Sequence, residues 1–226
     1  MLKLTPRLEM AAGMVRRGNT VVDIGTDHAY LPAYLVLNRI CPNAIACDVK
    51  EGPLLNAAKT VAKYALGDKI ELRLSDGLKA IKKGEAQDIV MCGMGGNLIE
   101  DILTPAEWLN DKKYRLIIQP QSHSEDVRRF LDINGFEILN ETVCKDSGKL
   151  YFALCAEYDG HKPDKNETQY FFGRLPECEN EFATNLIENI LKRLKLKANS
   201  IKGYSDKKNE YEKLYAVISQ AEDFVK

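Results

Sequence analysis

The 226-residue chain reads as an α/β fold: a doubly wound, Rossmann-like sheet, mostly parallel with one antiparallel strand, followed by a C-terminal α-helical hairpin. Three observations predict this. Short β-rich runs alternate with amphipathic helical stretches through the first two thirds of the chain, the pattern of a parallel sheet with crossover helices. Two more strand-like runs then follow with only three residues between them. Finally, two stripes of apolar residues at spacings of three and four occupy the last quarter, separated by Gly203.

In order, Thr5 and Pro6 cap and open a first helix that ends near Gly18. Strands are expected at residues 20–24, 44–48, 69–74, 88–92 and 115–119. Four of these are near-continuous apolar runs, as a sheet covered on both faces requires. Helices are expected after each strand, at residues 29–38, 51–66, 78–82 (short), 97–110 and 124–134. Residues 136–145 and 149–158 flank Asp146-Ser147-Gly148, so they form a hairpin and the last strand enters the sheet antiparallel. That arrangement is the one found in class I methyltransferases, although topology alone does not decide function. Residues 159–178, polar and proline-containing, read as a linker. Beyond it, Phe182, Leu186, Ile187, Ile190, Leu191 and Leu194 face Tyr211, Leu214, Tyr215, Ile218 and Val225 in an expected antiparallel coiled coil. The expected division is a methyltransferase-type domain at 1–158 and a linker with coiled-coil domain at 159–226.

Composition narrows the function classes. Apolar residues make up 45% and charged residues 29%, which excludes wholesale disorder. No run reaches the length of a membrane span and no signal peptide opens the chain, so a cytoplasmic protein without a membrane partner is expected. The six cysteines form no CxxC pair and do not cluster with the three histidines, so neither a metal site nor a disulfide framework is expected. The net charge of −1 excludes a polycation. Any nucleic-acid partner needs a local patch, and one exists: Lys192, Arg193, Lys195, Lys197, Lys202, Lys207 and Lys208 stand against the single acid Asp206.

Ligands of such sheets bind at the carboxyl ends of the strands, near the reversal of strand order. The first strand runs into Asp23-Ile24-Gly25-Thr26-Asp27-His28, with Asp27 where a dinucleotide fingerprint has its second glycine. An acid there disfavours pyrophosphate and suits a cationic ligand such as S-adenosylmethionine. Asp48, followed by Val49, ends the second strand 23 residues beyond Gly25, where an acid accepts hydrogen bonds from ribose hydroxyls. Ser75-Asp76-Gly77 ends the third, placing a carboxylate for an exocyclic adenine amine; Asp76-Gly77 reads equally as a plain turn. Cys92-Gly93-Met94-Gly95-Gly96 is a glycine-rich loop after the fourth strand, and Gln119-Pro120-Gln121-Ser122-His123 follows the fifth. Cys92 reads as a packing residue bordering the pocket, and His123 as a helix-start residue.

Three strings, Asp23-Ile-Gly-Thr-Asp-His-Ala-Tyr-Leu-Pro32, Gly93-Met-Gly-Gly96 and Gln119-Pro-Gln-Ser122, resemble those of the TrmK family, bacterial tRNA (adenine(22)-N(1))-methyltransferases. The resemblance spans nearly the whole chain, including Leu4-Thr5-Pro6-Arg7-Leu8. It implies a class I methyltransferase fold with a C-terminal coiled coil, S-adenosylmethionine as cofactor and tRNA as substrate. The Asn/Asp-Pro-Pro-aromatic motif of many exocyclic-amine methyltransferases is absent, which suits a ring-nitrogen acceptor.

Within that reading, Asp23, Gly25, Thr26, Asp48, Val49, Ser75, Asp76, Gly77, Gly93, Met94 and Gly95 are the expected cofactor residues. Asp27 is the candidate to stabilise the cationic product ring, Tyr30 to stack on a flipped base and His28 to bind substrate or phosphate. Each of the three alternatively only orients its loop. The seven basic residues of the hairpin are the expected phosphate contacts, with Arg7, Arg16 and Arg17 as a second group. A monomer or weak dimer is expected. Two rival readings remain: a methyltransferase acting on another substrate, and a non-catalytic RNA-binding protein with a nucleotide-binding fold.

Overall fold

The computed structural model describes residues 2–225. Its sheet consists of β1 (Val21–Ile24), β2 (Ala44–Asp48), β3 (Ile70–Leu74), β4 (Asp88–Gly95), β5 (Arg115–Ser122), β6 (Phe136–Asp146) and β7 (Lys149–Tyr158), in the spatial order β3-β2-β1-β4-β5-β7-β6. Five strands run parallel, and β7 is antiparallel to both β5 and β6. Strand order reverses between β1 and β4. The buried runs Val21–Ile24 and Ile89, Val90 and Met91 at that centre have both faces covered, as their continuous apolarity predicts.

The helices are α1 (Pro6–Ala12), α2 (Tyr30–Leu37), α3 (Glu51–Lys63), α4 (Gly96–Leu103), α5 (Ser124–Ile133), α6 (Glu167–Phe172), α7 (Glu181–Ile201) and α8 (Lys208–Ala221). Several depart from the sequence expectation. The first helix stops at Gly13 rather than near Gly18, and the Thr5 side chain makes no capping hydrogen bond. Residues 78–82 form turns, not a helix, because the Ser75 hydroxyl donates to Gly77 O (2.7 Å) and accepts from Ala80 N (3.1 Å), closing the segment on itself. Pro105 cuts the expected 97–110 helix at Leu103. The glycine-rich stretch after Cys92 is a continuation of β4, with irregular register at Cys92/Met94 and Met94/Gly95.

The 159–178 segment is more than a linker. It contains α6, whose Asn166 and Gln169 form a reciprocal capping box, and it buries Thr168, Tyr170, Phe172 and Leu175. Phe172 and Leu175 join Ile187, Leu191, Leu194, Leu214 and Ile218 of the helical hairpin in one continuous apolar cluster with Leu116, Ile118 and Leu154 of the sheet. The hairpin α7–α8 is therefore not a free-standing coiled coil, since α7 also packs on β6.

One buried ion pair stands at this junction. Arg128 on α5 donates through Nε and Nη2 to Glu141 on β6 (2.7 and 3.2 Å), and its Nη1 donates to the carbonyls of Tyr170 and Phe171 (3.0 and 3.1 Å). A second knot ties the start of the segment: Asp132 accepts from Tyr170 Oη (2.7 Å) and pairs with His161 Nε2 (3.0 Å). Asp164 lies near enough to complete a three-residue metal-ligand set with them, but Asp132 already spends both oxygens on protein donors.

Removing one partner of a buried pair strands the other charge. Arg128→Met is expected to destabilise the protein by about 3–5 kcal/mol in urea unfolding. Arg128→Met with Glu141→Leu should recover most of that loss, because no buried charge remains unpaired.

Candidate active site

The carboxyl ends of β1 and β4 flank the strand-order reversal, and the sequence-predicted residues gather there. Gly25 follows β1 with φ of +75°, a left-handed backbone that favours glycine, and a Cβ on it would push aside the Met94 methyl. Its amide and that of Thr26 donate to Cys47 O (2.8 and 2.9 Å), which locks the loop onto β2. Thr26, buried, accepts from Ala29 N (3.1 Å) and so fixes the turn into α2. Ala29 takes a left-handed φ of 52°, a conformation uncommon for a residue with a side chain.

The acids differ in environment. Asp23 is 8% exposed. Burial pushes its carboxyl up to about 7, a hydrogen bond with Thr26 pulls it down, and the neighbouring Asp48 charge raises it again. Asp48 is half-buried at the end of β2 and accepts from Lys50 N (2.8 Å), with Val49 exposed beside it. Asp76 is exposed and pairs with Lys79 at 2.5 Å. It stands at the mouth of a cleft of about 430 Å³ whose walls include Leu78, Leu98 and Ile102. Three carboxylates thus follow one another across β1, β2 and β3 at one edge, with an apolar cleft at the end of the row. That set fits a cationic nucleoside: acids for its ammonium, ribose hydroxyls and base amine, and apolar walls for its ring.

Asp27, His28 and Tyr30 form an exposed group. The Asp27 carboxylate lies 3.3 Å from His28 Nε2, and the imidazole stacks on the Tyr30 ring at 5.0 Å and 10°. His28 and Tyr30 open onto a cleft that also exposes Lys3, Lys59 and Lys63.

On the other side of the reversal, the buried Gln119 accepts from Gly93 N (3.1 Å) and donates to Pro120 O (3.0 Å), pinning β4 to β5. Cys92 beneath has its thiol pushed well above the usual range by burial, so it packs and does not react. His123 caps α5 with a left-handed φ of 53° and pairs with Asp126 at 3.2 Å. Near Gly93 stand Arg7, over the ring of Tyr151 at 5.4 Å, and Gln121. Sequence reasoning missed Tyr151, because only the antiparallel entry of β7 brings its first residues to the carboxyl end of β5.

Arg16 requires correction. Arg16 is at the opposite edge of the sheet, where its Nε and Nη2 donate to the fully buried Asp88 (2.9 and 2.6 Å) at the start of β4. It also reaches Gln87 O, Lys113 O and Glu157, so its guanidinium is spent on structure. Arg17 is exposed at that same remote edge. On the hairpin, Lys195 pairs with Glu222, Lys197 and Lys207 with Glu210, Lys208 with Glu212, and Arg193 with Glu125 at a looser 3.7 Å. Lys192 and Lys202 are exposed.

A methyltransferase-domain family profile matches residues 4–154. A tRNA (adenine(22)-N(1))-methyltransferase of Bacillus subtilis is 42% identical over 166 residues, 70% of each chain. The chain belongs to this family. The crystal structure of the B. subtilis m1A22 tRNA methyltransferase TrmK superposes over 100% of both chains with a TM-score of 0.86 and 32% identity. A Streptococcus pneumoniae protein described as a putative tRNA (m1A22) methyltransferase, in complex with S-adenosyl-L-methionine, covers 99% of this chain and 100% of its own at a TM-score of 0.83 and 30% identity. The mostly parallel sheet and helical C-terminus expected from the sequence are therefore those of the family. Among the described residues, no helix is long and apolar enough to cross a membrane.

The Asp23 environment sets a pH dependence. With its carboxyl raised to about 7, the free protein holds Asp23 largely protonated below that pH. A ligand ammonium beside Asp23 favours the ionised carboxyl, so S-adenosylhomocysteine, which keeps the ammonium though not the sulfonium, should bind more tightly as pH rises from 5.5 to 7.5, with proton uptake by the buffer in calorimetry. The stability sign is the reverse of a salt-bridged acid: above pH 4 the unfolded chain ionises Asp23 while the fold resists it. Asp23→Asn should thus match wild type in Tm near pH 4, gain on it as pH rises to about 7, and keep a constant advantage above.

Proposed function

We infer that the protein transfers a methyl group from S-adenosylmethionine to the N1 nitrogen of adenosine 22 in tRNA. The observation that carries this is the row of Asp23, Asp48 and Asp76 at three consecutive strand ends beside Gly25, in a chain of the tRNA (adenine(22)-N(1))-methyltransferase family. When bound, the cofactor supplies an electrophilic methyl group on a sulfonium.

The chain's own residues bind and position. Asp48 holds the ribose hydroxyls, with Lys50 N keeping its carboxylate oriented at 2.8 Å. Asp76 accepts from the adenine amine, Val49 and the Leu98 side of the cleft cover the ring, and the Ser75-Gly77 turn fixes Asp76 in place. Asp23 meets the ammonium, and Thr26 holds the loop through Ala29. Gly93, Met94 and Gly95 form the floor between the two substrates, and Gly25 leaves room for Met94.

The N1 lone pair of neutral adenine is already nucleophilic, so no base has to remove a proton from it, and in-line placement supplies much of the rate. The product ring is a cation. Asp27, exposed and not buried against other carboxylates, sits at the loop where an anion stabilises that charge as it forms. The His28–Tyr30 stack and Lys3, Lys59 and Lys63 line the path for the RNA strand beside the target, with stacking and phosphate contacts of the kind single strands use.

Labelled methyl transfer to an unmodified tRNA transcript, followed by nucleoside analysis, should yield 1-methyladenosine at position 22. In Asp27→Ala, kcat should fall by about 10²-fold while cofactor affinity stays within twofold. Loss of cofactor binding instead would move Asp27 into the binding set, and no label in any tRNA would overturn the function.

The hairpin offers the phosphate-contacting surface. Because α6–α8 share the sheet's core, deleting residues 160–226 would unfold the protein, so charge reversal is the cleaner probe. Lys192→Glu with Lys202→Glu should weaken tRNA binding and flatten the slope of log K against log salt by about 0.7–0.9 for each phosphate no longer neutralised. Arg17→Glu, at the remote edge, should leave that slope unchanged.

A further inference from the structure

We propose that the target adenine enters between the end of β5 and the start of β7 on the α1 face of the sheet, with Tyr151 as the platform on which the flipped ring stacks. This deepens the functional reading above and rests on it.

On β7, Phe152 packs with α7 on one face of the sheet, whereas Tyr151 follows the alternation of Ala153 and Cys155 onto the face of α1, where Arg7 lies over its ring. Arg7 in turn lies beside Gly93, where a Cβ would sit 3.4 Å from its Nη1 and 3.5 Å from Gln121 Nε2. Gly93 belongs to the stretch that separates the cofactor side of the sheet from this one. A base entering here approaches the methyl group across Gly93 to Gly95, from the face opposite the acids that hold the cofactor.

Tyr151 suits this role for a reason specific to the reaction. During transfer the N1 lone pair forms the N–C bond as the C–S bond breaks and its electron pair stays on sulfur. The positive charge passes from sulfonium to adenine, and no proton is gained or lost. The ring therefore becomes a planar cation. The face of Tyr151 already carries a planar cation in the free protein, the Arg7 guanidinium at 5.4 Å. An aromatic face attracts a cation more than a neutral ring, so it stabilises the transition state beyond the ground state. When the base takes this face, Arg7 is released beside the flipped nucleotide, where it pairs with phosphate. Gln121 lies at the edge of the stack, with an amide able to accept from the N6 amine and so turn N1 toward the methyl carbon.

The test uses the full-length enzyme saturated with S-adenosylmethionine and an unmodified tRNA transcript. Tyr151→Leu should lower kcat at least tenfold with unchanged Tm and cofactor affinity, and Tyr151→Phe, which keeps the ring, should recover most of the loss. Arg7→Ala should act mainly on KM for tRNA. A transcript with 2-aminopurine at position 22, bound with S-adenosylhomocysteine, should be quenched by wild type and brighter with Tyr151→Leu. A kcat for Tyr151→Leu equal to wild type, or equal fluorescence in the two complexes, would overturn the platform while leaving the function standing. If wild type itself forms no 1-methyladenosine, the functional reading falls first.

Discussion

The Arg128 guanidinium is the point through which the two halves of the protein are held together. It reaches Glu141 on β6 and the last carbonyls of α6 at once, and it lies over the Phe152 ring at 4.7 Å. Glu141 in turn accepts from Arg174 N (3.1 Å), so both charges are satisfied by protein groups. Gly173 passes so close that a Cβ on it would lie 2.4 Å from Arg128 Nε. Such a pair contributes modestly to net stability, because desolvation cancels most of the attraction, but it tolerates only one arrangement of its partners. What it specifies is direction. With α6 docked against α5 and β6, α7 packs on β6 and brings Ile190 and Arg193 beside the end of β5 and the start of β7.

That edge and the opposite one divide the labour of the sheet. At the amino ends of β4 and β5, Asp88, Arg16, Arg115 and Glu157 are paired with each other and with backbone. At the carboxyl ends, Asp27, Asp76 and Lys79 stand exposed, as a sheet that binds ligands there allows, while left-handed backbone occurs at both edges, at Ala29 and His123 on one and at Arg39 and Ala65 on the other.

Much of this was legible in the sequence because it is local. Continuous apolar runs located the strands, Asp146-Ser147-Gly148 fixed the hairpin that makes β7 antiparallel, and the S-adenosylmethionine expected from the strand-end motifs is the ligand of the family. What failed to show was decided by contacts far apart in the chain. Arg16 looked like a free surface cation, and nothing near it in sequence reveals that Asp88, 72 residues on, is the buried acid it pairs with. Residues 159–178 looked like a linker because their polar composition hides Tyr170, Phe172 and Leu175, which find an apolar setting only in the company of α5 and α7. Tyr151 carries no motif at all. Its position depends on the register that sets Ile118 opposite Leu154, which carries the start of β7 to the end of β5.

The reaction explains why so little dedicated chemistry is present. A neutral ring nitrogen and a sulfonium need no base and no metal to react, only a line of approach and a place for the charge as it moves. In the arrangement proposed above, Asp23, Asp48 and Asp76 meet the charge while it is on the cofactor, and Asp27 together with the Tyr151 face, from which Arg7 is displaced, meets it when it arrives on the base. Between them, β4 crosses at Gly93, whose left-handed φ of 79° favours glycine, and at Gly95, where a Cβ would lie 3.2 Å from Ser122 Oγ. Asp23 adds a further coupling: because burial holds its carboxyl near 7, its ionisation is favoured by the cation it binds, so the cofactor side becomes fully charged only when it is filled. On the reading proposed above, the basic hairpin, docked through Arg128, is what brings the strand to be methylated over a site whose charge is already arranged.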